Sequence, residues 1–334
     1  MRTKVLTVVL LFCAGFSVAQ QQTLYSNFVL NQYIYNPAYA GVYKGIEINA
    51  NYRQQWAGFE DAPQTAIFSV YGTPKKKQNM AFGALIMNDK SGLIGRTSVY
   101  GSYSYHVKLG KKMSLGFGVS AGGISYNVKI YNAKPYDKDD DFLKSNILNA
   151  NAFDANAGLY LYSKKFFLGF SGQQLPSSKI HWPNTMGRLT PHYYATIGYN
   201  ITLDKKKKEW VLQPALLARF NSPAPYQIEA NLRVIYKNAF WIGGNLRFGS
   251  SASGMFGCTI SKMVTFAYSY DYALTSLQKY SNGSHELLLT VSIASKKKKS
   301  ASDKVTDADE DEFNNLDNSI KTNLKNKKND EEKK

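Results

Sequence analysis

The sequence predicts an all-β protein, an antiparallel up-and-down barrel of about fourteen strands that crosses an outer membrane. Three observations support this prediction. Long runs of residues alternate between apolar and polar side chains, the first residues have the character of a secretory signal peptide, and tyrosine and phenylalanine gather near the ends of the alternating runs. A period of two places the apolar side chains on one face of a strand. Aromatic girdles at the strand ends are typical of barrels in a bilayer.

The start of the chain predicts export. Two basic residues precede an apolar run at residues 5–12, and a Ser-Val-Ala sequence ends at Ala19. These are the parts of a secretory signal peptide, so residues 1–19 are expected to be removed. Cys13 leaves a lipoprotein signal open as an alternative, although the bulky Phe12 before it argues against that processing.

Export limits the remaining possibilities. After removal of the signal, Cys258 is the one cysteine left, so no internal disulfide can form. No run of about 18 apolar residues is present, so the sequence predicts no membrane-spanning helix. An exported chain is no candidate for DNA binding, and no nucleic-acid partner is expected. A secreted, soluble β-sandwich remains open as the alternative fold.

The alternation defines the strands. In residues 45–53, isoleucine, alanine and tyrosine alternate with glutamate, asparagine and arginine, and the same pattern holds in 98–109, 264–272 and 286–293. Counting such runs over residues 42–295 gives about fourteen strands, several of ten or more residues. Strands of about ten residues, tilted by about 45°, cross a bilayer.

The connections between the strands form two alternating sets. One set is mostly longer and carries proline, glycine and aspartate, while the other is short and basic. Its lysines are Lys75, Lys76, Lys77, Lys111, Lys112, Lys164, Lys165, Lys205, Lys206, Lys207 and Lys208. Bacterial barrels place short turns in the periplasm, so this basic rim and both chain ends are expected there. Lysines in turns also oppose aggregation, which requires no partner. The alternative is that the basic rim attracts an acidic periplasmic partner.

Four regions are expected along the chain: a signal peptide at 1–19, a pre-barrel segment at 20–41, the barrel at 42–295 and a charged, disordered tail at 296–334. The tail is rich in charge and poor in apolar residues, which predicts disorder. A periplasmic tether or an interaction segment remains open beside a simple solvated tail.

No catalytic or metal-binding pattern stands out. The histidines are scattered, and the chain lacks both the G-x-S-x-G and the H-E-x-x-H motifs. We therefore expect no enzymatic activity, no cofactor and no metal. Lipid of the outer membrane is the expected surrounding of the barrel.

Strand parity predicts a layer of charge inside the barrel. The apolar residues of the strand that begins at Val211 point outward, so Arg219 points inward, and the same rule turns Arg233 inward on the next strand. Charged side chains of both signs are expected toward the outer end of the lumen, namely Arg53, Arg219, Glu229, Arg247, Asp271 and Glu286. Mixed signs at one level predict salt bridges that stiffen or constrict the interior. A ligand or ion path is the alternative.

Two stretches resemble a known family. L-Y-S-N-F-V-L-N-Q-Y-I-Y-N-P-A-Y-A-G (24–41), followed by 51–72, resembles the start of the PorP/SprF family of Bacteroidetes outer-membrane proteins, and 268–289 resembles its end. Residues 82–95 also resemble the family's Asn-Asp-x-x-Gly hairpin, whereas the long charged tail departs from the family's usual ending. The matching residues are Asn36, Pro37, Ala38, Gly41, Arg53, Trp56, Pro63, Tyr270, Asp271, Tyr280, Gly283, Ser284, His285 and Glu286.

The resemblance implies a role in type IX secretion. Family members act as outer-membrane partners of exported surface proteins, often large adhesins, and work with the secretion and gliding-motility machinery. The implied function is non-enzymatic support of the export or surface attachment of an adhesin-like cargo. The outer loops would hold the cargo, and the basic rim would contact the machinery. A channel for small solutes and a peptidoglycan-binding anchor are the alternatives.

The N-P-A-Y-A-G motif is expected to direct the chain into the first strand. Pro37 favours an extended or turn conformation at Asn36, and Gly41 relaxes the bend. A cap at the barrel mouth, without any partner, is the other interpretation of this segment.

Overall fold

The structure is a computed structural model. It describes residues 22–129, 147–181, 186–204, 209–222 and 224–294. The predicted signal peptide, residues 130–146, Lys205 to Lys208 and the charged tail lie outside the described residues. The expectations about these parts stay predictions.

The described chain is built almost entirely from strands, with one-turn 3-10 helices at Gln32–Ile34, Pro37–Tyr39 and Ser276–Lys279. The strands are β1 (Gly45–Gln54), β2 (Gln64–Gly72), β3 (Met80–Ser91), β4 (Ile94–Leu109), β5 (Met113–Lys129), β6 (Ile147–Ser163), β7 (Phe166–Gln173), β8 (Lys179–His181), β9 (Met186–Arg188), β10 (His192–Tyr199), β11 (Ile201–Thr202), β12 (Trp210–Asn221), β13 (Ala224–Tyr236), β14 (Phe240–Arg247), β15 (Ser251–Ile260), β16 (Val264–Ala273) and β17 (Ser284–Ala294). The described part of the chain contains no helix with the length and hydropathy to span a bilayer.

Fourteen of the described strands close into one antiparallel barrel. Sequential neighbours pair from β1 to β7 and from β12 to β17, while β10 joins β7 to β12 and β1 pairs with β17. The short β11 continues β10 along β12, and β8 and β9 form a separate hairpin after β7. The prediction of an all-β, up-and-down barrel of about fourteen strands is confirmed.

The outer surface of the barrel is apolar and its lumen is polar. Phe68 and Phe153 point outward and are 50% and 58% exposed, whereas Asn49 and Asn51 point inward and are buried. A soluble protein would show the reverse arrangement. Apolar side chains facing outward suit lipid, and closure of the ring leaves no unpaired strand edge in the bilayer.

The strand order gives the barrel two different rims. The first and last strands begin and end at one rim, where Gly45 pairs with Ala294. We call this end the lysine-turn rim, and it carries the turns at 73–79, 110–112, 164–165, 237–239 and 261–263. We call the opposite end the loop rim, and it carries 55–63, 92–93, 248–250 and 274–283.

Residues 22–44 of the same chain lie inside the lumen, and we call them the lumen segment. It starts near the loop rim, where Tyr194 donates a hydrogen bond to the Gln22 side chain at 2.9 Å. It ends at the lysine-turn rim, where β1 begins. The sequence predicts only a path into the first strand or a cap at the mouth for this segment. In the structure it reaches from one half of the barrel to the other.

A large hydrophobic cluster lies between the lumen segment and the inner barrel wall, and two smaller clusters of buried apolar residues lie elsewhere in the described chain. Inward apolar positions of the wall receive the segment. The segment contributes Leu24, Tyr25, Phe28, Val29, Tyr33, Tyr35, Ala38 and Ala40, and the wall contributes Ile67, Tyr71, Ala81, Leu85, Tyr160, Phe167, Tyr194, Ala215 and Leu217. Burial of this apolar surface stabilises the filled lumen.

Candidate functional site: the filled lumen

An ion-pair cluster lies inside the barrel near the loop rim. Arg53 on β1 donates from Nη2 to Asp271 on β16 at 2.5 Å and from Nη1 to Glu286 on β17 at 3.0 Å. Arg53 and Glu286 are directly opposite each other across the β1–β17 pair. All three side chains are almost completely buried. A buried charge is stable only when it is paired and hydrogen-bonded, and here one arginine serves two carboxylates.

The lumen segment supplies further donors to these carboxylates. The Ser26 backbone N–H donates to Glu286 Oε2 at 2.8 Å, and the Ser26 hydroxyl donates to Asp271 Oδ1 at 2.7 Å. The Asn27 amide donates to Glu286 Oε1 and to the Ser269 hydroxyl, at 3.3 and 3.2 Å. The charged cluster therefore binds the first part of the lumen segment to the barrel wall.

A second ion pair lies on the neighbouring wall. Arg247 on β14 and Glu229 on β13 form a two-pronged pair, with Nε to Oε1 at 2.9 Å and Nη2 to Oε2 at 3.2 Å. Asn245 donates to the same Glu229 carboxylate at 2.9 Å. Such forked arginine–carboxylate pairs are both strong and specific in geometry.

The third predicted arginine binds the lumen segment itself. Arg219 donates from Nη1 to the Gln22 carbonyl oxygen at 2.8 Å. The six predicted lumen charges are thus all buried: five of them form two ion-pair groups, and Arg219 binds the Gln22 carbonyl group. The lumen segment, which parity alone could not place, supplies partners to the first group and to Arg219.

The N-P-A-Y-A-G motif lies deeper in the lumen. Asn36 is extended, with φ −140° and ψ 111°, and its side chain accepts from the Ala38 N–H at 2.9 Å, which caps the turn at Pro37–Tyr39. The Asn36 amide also donates to the carbonyl oxygens of Leu159 on β6 and Phe170 on β7, at 2.9 and 3.2 Å. One side chain therefore both starts the turn and ties it to two strands.

Glycines in the wall make room for this motif. A Cβ atom at Gly118 on β5 would lie 2.2 Å from the Ala38 backbone nitrogen, and one at Gly158 on β6 would lie 2.1 Å from Asn36 Oδ1. Gly118 and Gly158 are directly opposite each other across the β5–β6 pair. The two strands thus form a recess that only glycine permits. Glycines at alternate inward positions of β5 are a sequence signal that another backbone segment lies close to the strand. The prediction from strand parity considered only charged side chains and did not use this signal.

The motif ends at a second set of contacts near the lysine-turn rim. The Ser104 hydroxyl donates to the Ala40 carbonyl oxygen at 2.5 Å, and His106 Nε2 lies 2.7 Å from the same oxygen. Gly41 has φ +93°, a conformation that favours glycine. Lys44 then donates to the carbonyl oxygens of Gly41 and Gln78, and burial lowers the pKa of its ammonium group.

The rest of the family motif meets at the loop rim. The Trp56 N–H donates to the Ser284 hydroxyl at 3.1 Å, and the Ala57 N–H donates to the Gly283 carbonyl oxygen at 2.7 Å. Gly283 has φ +85° and lies against the Tyr270 ring. The early and late parts of the motif thus form one loop pair.

Three further motif residues have different surroundings. Pro63 accepts the Gln55 N–H at 2.8 Å. His285 Nδ1 lies 2.7 Å from the Tyr268 hydroxyl, and Tyr280 is exposed. None of the three contacts the lumen cluster through an observed hydrogen bond in the described chain.

The described lysines of the basic rim are all exposed and lie in turns of the lysine-turn rim. They are Lys75, Lys76, Lys77, Lys111, Lys112, Lys164 and Lys165. No acidic residue of the described chain pairs with them through a salt bridge. Among the described residues, no group of three or more histidine, cysteine, aspartate or glutamate side chains could hold a metal ion.

Sequence comparison assigns the family. The family model described as "Type IX secretion system membrane protein PorP/SprF" matches residues 17–291. The chain belongs to the PorP/SprF family. The resemblance found in the terminal motifs is confirmed. PorP/SprF membership together with the closed barrel identifies an outer-membrane protein of the type IX secretion family, and family and fold resemble membrane secretion proteins rather than enzymes. No curated protein sequence matches this PorP/SprF chain.

Solved barrels are similar to this PorP/SprF chain at low identity. The toluene transporter TbuX of Ralstonia pickettii has 12% identity and a TM-score of 0.47, covering 77% of this chain and 91% of its own. The CymD monoaromatic hydrocarbon channel has 11% identity and a TM-score of 0.49, covering 79% and 93%. The outer-membrane protein Omp33 of Acinetobacter baumannii has 8% identity and a TM-score of 0.41, covering 76% and 100%.

Proposed function

We propose that this protein is a closed outer-membrane scaffold that supports the export or surface attachment of an adhesin-like cargo in type IX secretion, and through that cargo gliding motility. The observation that carries the proposal is the occupation of the lumen by residues 22–44. Hydrogen bonds hold this segment at both ends, at Ser26 near the loop rim and at Ala40 near the lysine-turn rim.

A filled lumen favours a scaffold over a channel. A passive pore needs a continuous aqueous path, and wide pores usually show rings of a single charge sign. Here five of the six predicted inward charges form ion pairs of opposite sign, and the Arg53–Glu286 pair also holds the segment. The surfaces left for a partner are the two rims.

The two rims have different chemistry, which suits a protein that connects two sides of a membrane. The lysine-turn rim presents exposed positive charge, which steers acidic partners. The loop rim carries the hydrogen-bonded pair of loops around Trp56 and Gly283. In the proposed orientation the lysine-turn rim faces the periplasmic machinery and the loop rim faces the cargo.

Deletion of the gene in the host bacterium tests this function. Surface and culture-medium proteomes of the deletion strain, the wild type and a complemented strain are compared by mass spectrometry. We expect one large surface protein to be lost from the surface or released into the medium, with other exported proteins unchanged and with recovery on complementation. An unchanged proteome would contradict the proposal. A broad loss of exported proteins would indicate that the protein is a general secretion component and not the dedicated partner of one cargo.

A further inference from the structure

A cavity of about 310 Å³ lies in the half of the lumen next to the lysine-turn rim. The lumen segment forms one side of it through Leu30, Gln32 and Tyr39, and the barrel wall forms the rest. Ser163, the last residue of β6, and Ser292, near the end of β17, also line the cavity, so it reaches the rim. The lumen segment thus leaves a recess in the half of the lumen next to the lysine-turn rim.

A buried arginine without a carboxylate partner lines this cavity. Arg233 on β13 is 6% exposed, and its guanidinium donates from Nε to Gln213 Oε1 at 3.0 Å and from Nη2 to the same oxygen. The guanidinium carbon lies 4.9 Å from the centre of the Trp241 ring. No acidic residue of the described chain forms an ion pair with Arg233, in contrast to Arg53 and Arg247.

A carboxylate without a cation lines the same cavity. Glu47 on β1 lies 3.4 Å from the Ser292 hydroxyl through Oε1. Its Oε2 atom is buried and has no hydrogen-bond partner in the part of the chain that the structure describes. Glu47 and Arg233 stand on strands that are not neighbours, and no ion pair joins them among the described residues.

A buried arginine and a half-buried carboxylate line one cavity without forming an ion pair with each other, which indicates a ligand that carries both signs. A buried unpaired charge is costly, and an arginine fork matches a carboxylate in geometry. We infer that this cavity binds a short zwitterionic peptide, with its carboxylate on Arg233 and its ammonium group on Glu47. The volume falls at the lower end of ligand pockets. The rings of Tyr39, Tyr160 and Tyr162 also line the cavity and offer apolar contact to a ligand.

This inference is independent of the proposed function, because it concerns binding by the purified protein. Full-length protein in detergent is titrated with triglycine, N-acetyl-triglycine and triglycine amide in a calorimeter. We expect triglycine to bind at one site and each capped peptide to bind at least about tenfold more weakly, since each loses a charged hydrogen bond. Absence of saturable binding by triglycine would overturn the inference.

Two substitutions locate the charges. Arg233→Met should remove the preference for the free carboxylate over the amide, and Glu47→Gln should remove the preference for the free amine over the acetyl form. Lys237→Ala removes an exposed charge at the same rim, outside the cavity, and should leave all three affinities unchanged. Equal affinity for triglycine and its acetyl form in the wild type would overturn the role of Glu47.

A further variant and a second signal keep the test independent of folding defects. Gln213→Glu places a carboxylate where the chain itself can pair with Arg233, and it should weaken triglycine binding at least about tenfold without removing a positive charge. Heat-dependent migration in electrophoresis checks that each barrel is folded.

Because the Trp241 ring lies beside Arg233, ligand binding should also change the fluorescence of that tryptophan. A fluorescence change that persists in Trp241→Phe would place the ligand elsewhere.

Discussion

Glu286 Oε2 accepts a hydrogen bond from Arg53 Nη1 at 3.0 Å across the pair formed by the first and last strands. The same oxygen accepts the Ser26 backbone N–H at 2.8 Å. A single carboxylate oxygen thus joins the closure of the barrel to the occupation of its lumen. The predictions below test this coupling and the recess that receives the lumen segment.

Glu286→Gln should lower the free energy of unfolding by about 1–3 kcal/mol, because the charged partner of five buried donor atoms becomes neutral. Arg53 keeps Asp271, so the loss is smaller than for complete removal of a partner. Urea unfolding in lipid vesicles, followed by tryptophan fluorescence, measures the change. The exposed pair of Lys90 and Asp61 supplies the control, since Asp61→Asn should change stability by less than about 1 kcal/mol. Equal effects of the two variants would contradict the role of Glu286.

Gly118→Ala should destabilise the protein by about 1–3 kcal/mol, because the added methyl group overlaps the backbone of Ala38 and overpacks the recess. Gly101→Ala is the matched control on the neighbouring strand, where a Cβ atom would meet nothing within 4 Å. Unfolding curves in the same vesicles compare the two. If Gly118→Ala is as stable as Gly101→Ala, the lumen segment does not occupy the recess.

Asn36→Asp should loosen the lumen segment, because it removes the amide donor to Leu159 and Phe170 and sets a negative charge beside their carbonyl oxygens. A loss of about 1–3 kcal/mol corresponds to amide exchange roughly tenfold to a hundredfold faster in residues 22–41. Hydrogen–deuterium exchange with mass spectrometry measures it. In Asn36→Asp, amide exchange in peptides from β12 should stay at the wild-type rate. Asn79→Asp changes an exposed turn residue and should leave exchange at the wild-type rate throughout the chain. An unchanged rate in 22–41 would show that Asn36 does not hold the segment.

Deletion of residues 22–41 should convert the barrel into a conducting one. The wild type should pass little current in planar bilayers because the lumen segment fills the interior, whereas the deletion removes that material and leaves the polar wall open to water. Removal of Ser276–Lys279, an exposed turn of the loop rim, is the control and should leave the conductance low. A wild type that conducts as well as the deletion variant would refute the closed lumen.

The strands were predictable because their information is local. Alternation along residues 45–53 requires no knowledge of the partner strand, and parity alone turned Arg53 and Glu286 inward. Opposite charges on the first and last strands then predicted a contact between Arg53 and Glu286, which are far apart in sequence. The barrel and its inner charges therefore followed from period-two patterning.

The path of the lumen segment could not be predicted in the same way. Residues 22–44 have no period, and Ser26 meets Asp271 across a separation of 245 residues. Besides those to the two carboxylates, its hydrogen bonds go to carbonyl groups and small polar side chains, such as Ser104 and Ser269, that are common on any lumen wall. The inward glycines Gly116 and Gly118 were the local signal, but glycine in a strand has several other causes.

The Arg53–Glu286 pair also has a consequence for the order of folding. The residues that fill the lumen are made before any strand, yet their carboxylate partners lie on the last two strands. The contacts of the lumen segment with these carboxylates are completed only when the first and last strands pair around it, so we expect ring closure and filling of the wild-type barrel to finish together, late in folding. Contacts of such long separation slow folding. Before this step, the charged side chains of the cluster lack their partners and the edges of the first and last strands are unpaired. We therefore expect the unclosed chain to need protection from aggregation in the periplasm.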